Sequence, residues 1–210
     1  VITVDESHRI YDKGYVAVEG NSIAALGPME ELCGKDSCVI DARGAMLFPG
    51  FIDAHTHLGM WEDSLNFEGD DGNEETDPCT PQLRAVDAIN PCDRCFEEAL
   101  EAGVTTVVTG PGSANPIGGQ MAAMKTFGHC VDDMVVKAPC AIKMALGENP
   151  KRVYSDKNQT PATRMATAAI IREQLYKAKR YYEDVQCAMA DGEAAEPDYD
   201  IKCEAILPVL

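Results

Sequence analysis

The stretch Pro49-Gly-Phe-Ile-Asp-Ala-His-Thr-His57 decides how the rest of this chain is interpreted. Its Pro-Gly pair interrupts regular structure, and a short apolar run then leads to two histidines at positions i and i+2. Because side chains on a strand alternate between its faces, His55 and His57 should project from the same face. Two neutral imidazoles that converge in this way form half of a divalent metal site. A bare pair at this spacing is also compatible with a strand that carries two incidental histidines.

Composition and charge limit the classes of function. The chain has 210 residues, 45% of them hydrophobic, which is enough for a sizeable core in one or two domains. Its formal net charge of −17 argues against nucleic acid and anionic membranes as partners, because both require a basic surface. Apolar runs stay far short of the ~20 residues that span a bilayer, and the first residues lack a secretory signal pattern.

The cysteines point to a reducing compartment. There are nine of them, an odd number in a chain large enough to need no disulfides. Cys92 and Cys95 form a single Cys-x-x-Cys pair without a second pair at zinc-ribbon spacing, so packing is the simpler explanation for them. We therefore expect a cytoplasmic protein.

Residues 1–47 have the pattern of a small β-sandwich. Short alternating apolar segments are separated by Gly and Asn turns, which favours strands over helices. We predict strands at residues 14–20, 22–26, 38–42 and 45–48.

From residue 48 onward the pattern changes to strands followed by helices, which is typical of a parallel α/β sheet or barrel. The predicted strands are residues 51–58, 104–109, 134–137 and 140–146. The predicted helices are residues 91–102, 120–127 and about 161–189. Residues 59–90 form a long acidic segment without clear periodicity, and we expect a functional loop near an active site there.

Three parts of the chain resemble the N-terminal half of an amidohydrolase-superfamily protein of the imidazolonepropionase or prolidase-like type. They are the segment from Pro49 to His57, the helix-to-strand passage at residues 97–108 and the β-rich residues before 48. The resemblance implies an α/β fold with a small β-sandwich, residues 1–47, followed by the first part of a (β/α)₈ barrel, residues 48–210. It also implies one or two divalent ions, of which zinc is the one we expect, and a metal-activated water that attacks the C–N bond of an amide or cyclic amide.

The same resemblance assigns roles to individual residues. His55 and His57 become metal ligands, and a bridging ligand would be a carbamylated Lys143 or the carboxylate of Glu148, the latter being the one we favour. Asp53 shares a strand face with His55 and is expected to orient a ligand or line the barrel. His8 and His129 are expected to be solvated surface residues.

The resemblance also implies groups that this sequence does not contain. Family members use two further histidines and a proton-shuttling aspartate from later strands, and a full barrel takes about 250 residues. We therefore expect a fragment that does not hydrolyse amides by itself. Its exposed strand edges would favour self-association into a homo-oligomer.

Two other functions stay open at this point. A metal-dependent deaminase of the same fold would use the same strand-end histidines, and nothing in these residues separates it from an amide hydrolase. A non-catalytic assembly protein of this fold is the other alternative, although a protein without catalysis has no physical reason to keep paired imidazoles. Substrate, number of ions and oligomeric state are not specified by the sequence.

Overall fold

The computed structural model describes residues 1–34, 38–42, 44–63, 65–190, 195 and 197–210. The chain divides into two compact units, Val1–Gly50 and Phe51–Leu210. Within the described residues, no helix combines the length and the apolarity needed to cross a membrane.

The first unit contains one two-stranded antiparallel sheet. Strand β1 (Gly14–Glu19) pairs with β2 (Ser22–Pro28), and Gly20 supplies the positive φ of 60° that the tight turn between them requires. The predictions at 14–20 and 22–26 are confirmed. Those at 38–42 and 45–48 are wrong, since the described residues there form no strand. The N–H of Ile2 donates to the carbonyl oxygen of Leu47 at 2.9 Å, but the described residues of these segments join no strand ladder, and side chains such as Ile40 are exposed.

The second unit is built on a four-stranded mixed sheet in the order β3-β4-β5-β6. The strands are β3 (Phe51–Thr56), β4 (Val104–Thr109), β5 (Ile117–Lys125) and β6 (Val135–Met144). β3 and β4 are parallel, whereas β5 is antiparallel to both of its neighbours. It follows that β3, β4 and β6 all run in the same direction and that their carboxyl ends share one edge of the sheet.

Strand β5 replaces the helix predicted at residues 120–127. Its Gln-Met-Ala-Ala-Met segment consists of good helix formers, but the strand is nearly buried throughout and hydrogen-bonds to a strand on each side. Burial between two partners overrides the local preference of the side chains. The sheet is therefore mixed, where a parallel one was predicted.

The described residues of the second unit contain five α-helices. They are α1 (Arg94–Glu101), α2 (Val131–Met134), α3 (Glu148–Asp156), α4 (Arg164–Ala190) and α5 (Ile201–Ile206). The predicted helices at 91–102 and 161–189 are confirmed with later starts. In α1 the side chain of Asp93 caps the first turn by accepting from the backbone N–H of Cys95, so the helix begins after Asp93.

Two apolar clusters hold these elements together. The first surrounds Phe96 of α1 and includes Val107 of β4 and Met124 of β5. The second joins Ile117 of β5 to Ile171 and Ala178 of α4 and to Ile206 of α5. The first cluster therefore fixes α1 against the sheet, and the second fixes the α4 and α5 helices.

The acidic segment at residues 59–90 packs along the sheet. Isolated parallel bridges join Cys79 to Ile117 and Arg84 to Gln120, so part of the segment runs beside β5. In the described residues three ion pairs tie it to helices or to a helix end: Asp63 with Arg94 of α1, Glu75 with Lys157 just after α3, and Asp77 with Lys202 of α5. This segment is attached at many points, and it begins only two residues after His57.

Candidate metal centre

His55 and His57 lie side by side at the carboxyl end of β3. Their ring centroids are 5.2 Å apart and the rings are nearly perpendicular, at 79°. The intervening Thr56 points to the other face, where its hydroxyl donates to the carbonyl oxygen of Val108 at 3.2 Å. The alternation predicted from the sequence thus brings both imidazoles to one face of the strand end.

His57 is held in a defined orientation. Its Nδ1 lies 2.7 Å from the carbonyl oxygen of Gly110, the residue that follows β4. A carbonyl oxygen can only accept, so Nδ1 carries the proton and Nε2 keeps its lone pair. The indole of Trp61 packs against the same imidazole, with centroids 5.0 Å apart and rings at 87°. A histidine whose far nitrogen donates to a carbonyl is the usual arrangement for a metal ligand.

A second side-chain bond connects β3 and β4 at the same level. The hydroxyl of Thr109, which is fully buried, donates to the carbonyl oxygen of Leu58 at 2.8 Å. Leu58 follows His57 directly, and Gly110 follows Thr109. The ends of β3 and β4 are therefore joined by side-chain hydrogen bonds on both sides of His57, at Thr56 and at Leu58.

His55 meets a cation from the far edge of the sheet. The Nζ atom of Lys143, in β6, lies 2.7 Å from Nε2 of His55. An ammonium group donates, so Nε2 of His55 accepts in this arrangement. The nearby Lys143 charge, followed by desolvation and the proximity of His57, lowers the pKa of His55 below its ordinary value. Burial likewise lowers the pKa of Lys143.

This contact joins the two outer strands of the sheet. In a flat sheet three spacings of about 4.8 Å would separate β3 and β6 by roughly 14 Å. Side chains that stand upright on a flat sheet would not meet over that distance. The 2.7 Å between Lys143 and His55 shows that the two side chains reach toward each other across the face of the sheet.

The other residues considered from the sequence lie differently. Glu148 is the first residue of α3, its side chain is 80% exposed, and it pairs with Lys151 at 3.4 Å. Asp53 accepts from the backbone N–H of His55 at 3.1 Å and so braces the strand at its main chain. His8 and His129 are exposed. Across the described ranges, no three His, Cys, Asp or Glu side chains converge closely enough to hold a metal ion.

The donor set fits part of a metal centre. His55 and His57 present imidazole nitrogens at one strand end, and the Nε2 of His57 is free to coordinate. The lone pair of His55 accepts from Lys143, so the lysine and an ion would compete for it. Loss of a proton would remove the positive charge of the lysine and weaken this competition, and conversion of its amine to a carbamate would turn it into an anionic ligand.

Two contacts of His57 and one buried residue of the segment after β4 were not identified from the sequence. Trp61 is the single tryptophan of the chain and stands four residues after His57, a signal that could have drawn attention to it. Gly110 acts through its main chain, which no side-chain pattern reveals. Asn115 is buried in the glycine-rich segment after β4, where its side-chain hydrogen bonds depend on distant residues.

Sequence comparisons identify relatives of this chain, although no family model matches it. It is 33% identical to the amidohydrolase tasK of Hapsidospora irregularis over 161 residues, which are 70% of this chain and 16% of that protein. It is 40% identical over 62 residues to a 5-methylthioadenosine/S-adenosylhomocysteine deaminase of Syntrophobacter fumaroxidans, covering 29% of this chain and 14% of the deaminase. An imidazolonepropionase of Alkaliphilus metalliredigens matches at 32% identity over 120 residues, 49% of this chain and 28% of that enzyme.

The structural comparison gives a longer match. A crystal structure of an amidohydrolase from Thermotoga maritima superposes with a TM-score of 0.75 and 40% sequence identity, covering 90% of this chain. The match covers 49% of that protein, so this chain spans about half its length. Together these similarities show that the chain belongs to the amidohydrolase superfamily.

Proposed function

We propose that this chain supplies the first metal ligands of a hydrolase that cleaves the C–N bond of an amide or cyclic amide. The observation that carries the proposal is the convergence of His55, His57 and Lys143 at the carboxyl edge of the sheet. Ligand groups in α/β barrels gather at this edge. The names of the relatives support C–N hydrolysis as the reaction class, and the activity of the whole protein is part of the proposal because the chain spans about half of its solved relative.

His55 and His57 would hold the ion, which we expect to be zinc, through neutral imidazoles that leave its charge intact. Such an ion, when bound, lowers the pKa of water and polarises a substrate carbonyl. The chain's own contribution is orientation. Gly110 holds the proton of His57 on Nδ1, and Trp61 adds an apolar wall beside the ring. Trp61 would exclude water from one side of the site.

For the further ligand there are two candidates. Glu148, favoured from the sequence, lies on α3 with a solvent-exposed carboxylate and would have to turn away from Lys151. Lys143 already reaches His55, and its lowered pKa increases the fraction of neutral amine, which is the form that takes up carbon dioxide. We therefore propose a carbamylated Lys143 as the bridging ligand ahead of Glu148.

We also propose a barrel for the second unit and a small sandwich for the first. The contact between Lys143 of β6 and His55 of β3 supports a barrel wall, of which the second unit would be the first part, and the two-stranded sheet of the first unit would belong to a small sandwich. We also propose a cytoplasmic location and a small-molecule substrate. In the described residues β3 and β6 each have one strand neighbour, so their free edges would favour self-association.

A deaminase is the second candidate function. It is favoured by the similarity to the deaminase of Syntrophobacter fumaroxidans, and it would use the same histidines. The two reactions differ in the bond that is broken, because a deaminase releases ammonia from its substrate. Assays of a full-length protein for ammonia release and for amide or ring opening would separate them.

Metal binding tests the proposal on the chain as it exists. Purified protein is loaded with zinc or cobalt, dialysed and analysed for metal content. We expect His55→Ala and His57→Ala each to lose most of the metal, and His129→Ala, which changes an exposed histidine outside the site, to keep it. Equal metal content in all four proteins would overturn the proposal.

The ligand candidates can be separated in the same experiment. Lys143→Arg preserves the charge but cannot form the carbamate, while Glu148→Gln removes only the carboxylate. We expect Lys143→Arg to lower metal content and Glu148→Gln to leave it unchanged. The reverse result would restore Glu148 as the ligand.

A further inference from the structure

We propose that Asn115, held by Tyr154, is a positioning residue for His57. The inference deepens the proposed function, on which its metal-binding part rests. Asn115 and Tyr154 would fix the segment at residues 110–116, which carries the Gly110 carbonyl, and thereby keep His57 in the tautomer whose Nε2 can coordinate.

Asn115 uses both ends of its buried amide. Its Nδ2 donates to the carbonyl oxygen of Glu74 at 2.7 Å and to the hydroxyl of Thr80 at 3.2 Å. Its Oδ1 accepts from the hydroxyl of Tyr154 at 2.6 Å. Asn115 is 2% exposed and Tyr154 is fully buried. One side chain thus joins the segment after β4 to the acidic segment and to helix α3.

The segment at residues 110–116 depends on such bonds. It has no strand or helix of its own, yet nearly all of it is buried. Buried main-chain groups need partners, and here they come from the acidic segment: the Gly112 N–H donates to Gly72 at 2.7 Å, and the Ala114 N–H donates to Oδ1 of Asn73 at 3.0 Å. On the side of α3 the segment is anchored by the bond between Asn115 and Tyr154 and by Asn149, whose Nδ2 donates to the hydroxyl of Ser113 at 2.6 Å.

The position of this segment determines the tautomer of His57. The acceptor that restrains the imidazole proton lies 2.7 Å from Nδ1, and it is the main-chain oxygen of Gly110. If the segment shifts by a fraction of an ångström, the bond weakens and the Nε2–H form becomes accessible. A ring with its proton on Nε2 offers no lone pair there to an ion.

Removing the Tyr154 hydroxyl perturbs the segment without emptying the core. Tyr154→Phe keeps the ring but leaves Oδ1 of Asn115 buried without a donor, and an unsatisfied buried acceptor favours local opening toward water. Asn115→Ala removes the whole anchor and serves as a second variant.

Thr126→Val is the matched control. Its hydroxyl is also buried and donates to a main-chain carbonyl, that of Val104, at 2.8 Å. Val104 is the first residue of β4, at the end of the strand opposite to Gly110. This variant therefore loses a comparable bond in the same sheet without touching the segment at residues 110–116.

The decisive measurement is the tautomer of His57 by ¹⁵N NMR of the metal-free protein at mildly alkaline pH, where an ordinary imidazole is neutral. The His57 signal is assigned by its loss in His57→Ala. We expect a single Nδ1–H form in the unchanged chain and in Thr126→Val, and a mixture of tautomers in Tyr154→Phe and Asn115→Ala. In parallel, cobalt affinity should fall roughly 10- to 100-fold in the two site variants and stay constant in the control, as is typical of groups that orient metal ligands.

The outcomes separate this inference from the proposed function. A tautomer distribution in Tyr154→Phe and Asn115→Ala identical to that of Thr126→Val would overturn the positioning role, as would a mixture in the unchanged chain. Failure of the unchanged chain to bind cobalt would instead contradict the proposed metal site, and the NMR comparison would still decide the role of Asn115.

Discussion

The contact between Gly72 and Trp61 allows a sharp test of how the site wall is held. Gly72 is buried against the indole, and a methyl group added there would overlap the Cε2, Cζ2 and Cη2 atoms of the ring. Carbon atoms attract at about 3.5–4.0 Å and repel steeply inside that distance, so Gly72→Ala forces the indole to move. Because Trp61 also packs on His57, the displacement should reach the candidate ligand.

The size of the effect follows from two opposing contributions. Overpacking a buried position costs typically about 1–3 kcal/mol, and the 40% exposure of Trp61 gives the ring room to move, which favours the lower part of that range. Replacing glycine by alanine also restricts the unfolded chain, which stabilises by about 0.4–1 kcal/mol. Gly118→Ala is the matched control, since its methyl group would make only ordinary contacts at 3.6 Å or more. We expect the free energy of unfolding of Gly72→Ala to lie about 1–2 kcal/mol below that of Gly118→Ala.

Urea unfolding followed by circular dichroism measures this difference, and the emission of Trp61, the single tryptophan, reports the displacement. We expect the emission to change in Gly72→Ala and not in Gly118→Ala. In a Trp61→Ala background the cost of Gly72→Ala should disappear, because the clashing ring is gone. Equal stabilities and equal emission spectra for the two glycine variants would refute the steric argument.

Two further predictions concern the core and the thiols. Phe96→Ala, which empties the centre of the first apolar cluster, should lower the free energy of unfolding by about 3–5 kcal/mol in urea titrations, and a loss below 1 kcal/mol would contradict the central place of Phe96. Burial raises the pKa of the Cys79 thiol to about 11, so at pH 8 about one molecule in a thousand carries the reactive thiolate. Iodoacetamide labelling read by mass spectrometry should therefore modify Cys79 much more slowly than the exposed Cys92 and Cys187. The labelling rate of Cys79 should rise as the pH approaches 11. Equal labelling rates of the three thiols at pH 8 would speak against the burial of Cys79.

The elements that could be predicted from the sequence are those whose pattern is local. β4 is a run of β-branched residues that is followed by glycine, and it was predicted at its observed bounds. The α4 helix was recognised from apolar residues spaced three and four apart. β5 could not be predicted, because its alanine and methionine side chains favour a helix and only its two strand neighbours make it a strand.

The same distinction applies to the site. The two histidines lie two positions apart on one strand face, and they meet as predicted. The approach of Lys143 joins side chains whose strands lie three spacings apart in the sheet, which no local spacing encodes. Glu148 was favoured because it follows a strand, but helix α3 begins at that residue and turns its carboxylate toward Lys151.

The acceptor that orients His57 belongs to the main chain, and every residue type at position 110 would carry the same oxygen. A substitution scan would therefore not register the loss of this hydrogen bond directly. At position 110 such a scan would measure a steric clash, because the side chain of Met121 occupies the place that a β-carbon would need. A loss of stability that looks like overpacking at Gly110 can thus conceal the role of its carbonyl oxygen as the hydrogen-bond acceptor for His57. Replacing the Gly110 carbonyl by a weaker acceptor through chemical synthesis of the backbone would expose that role.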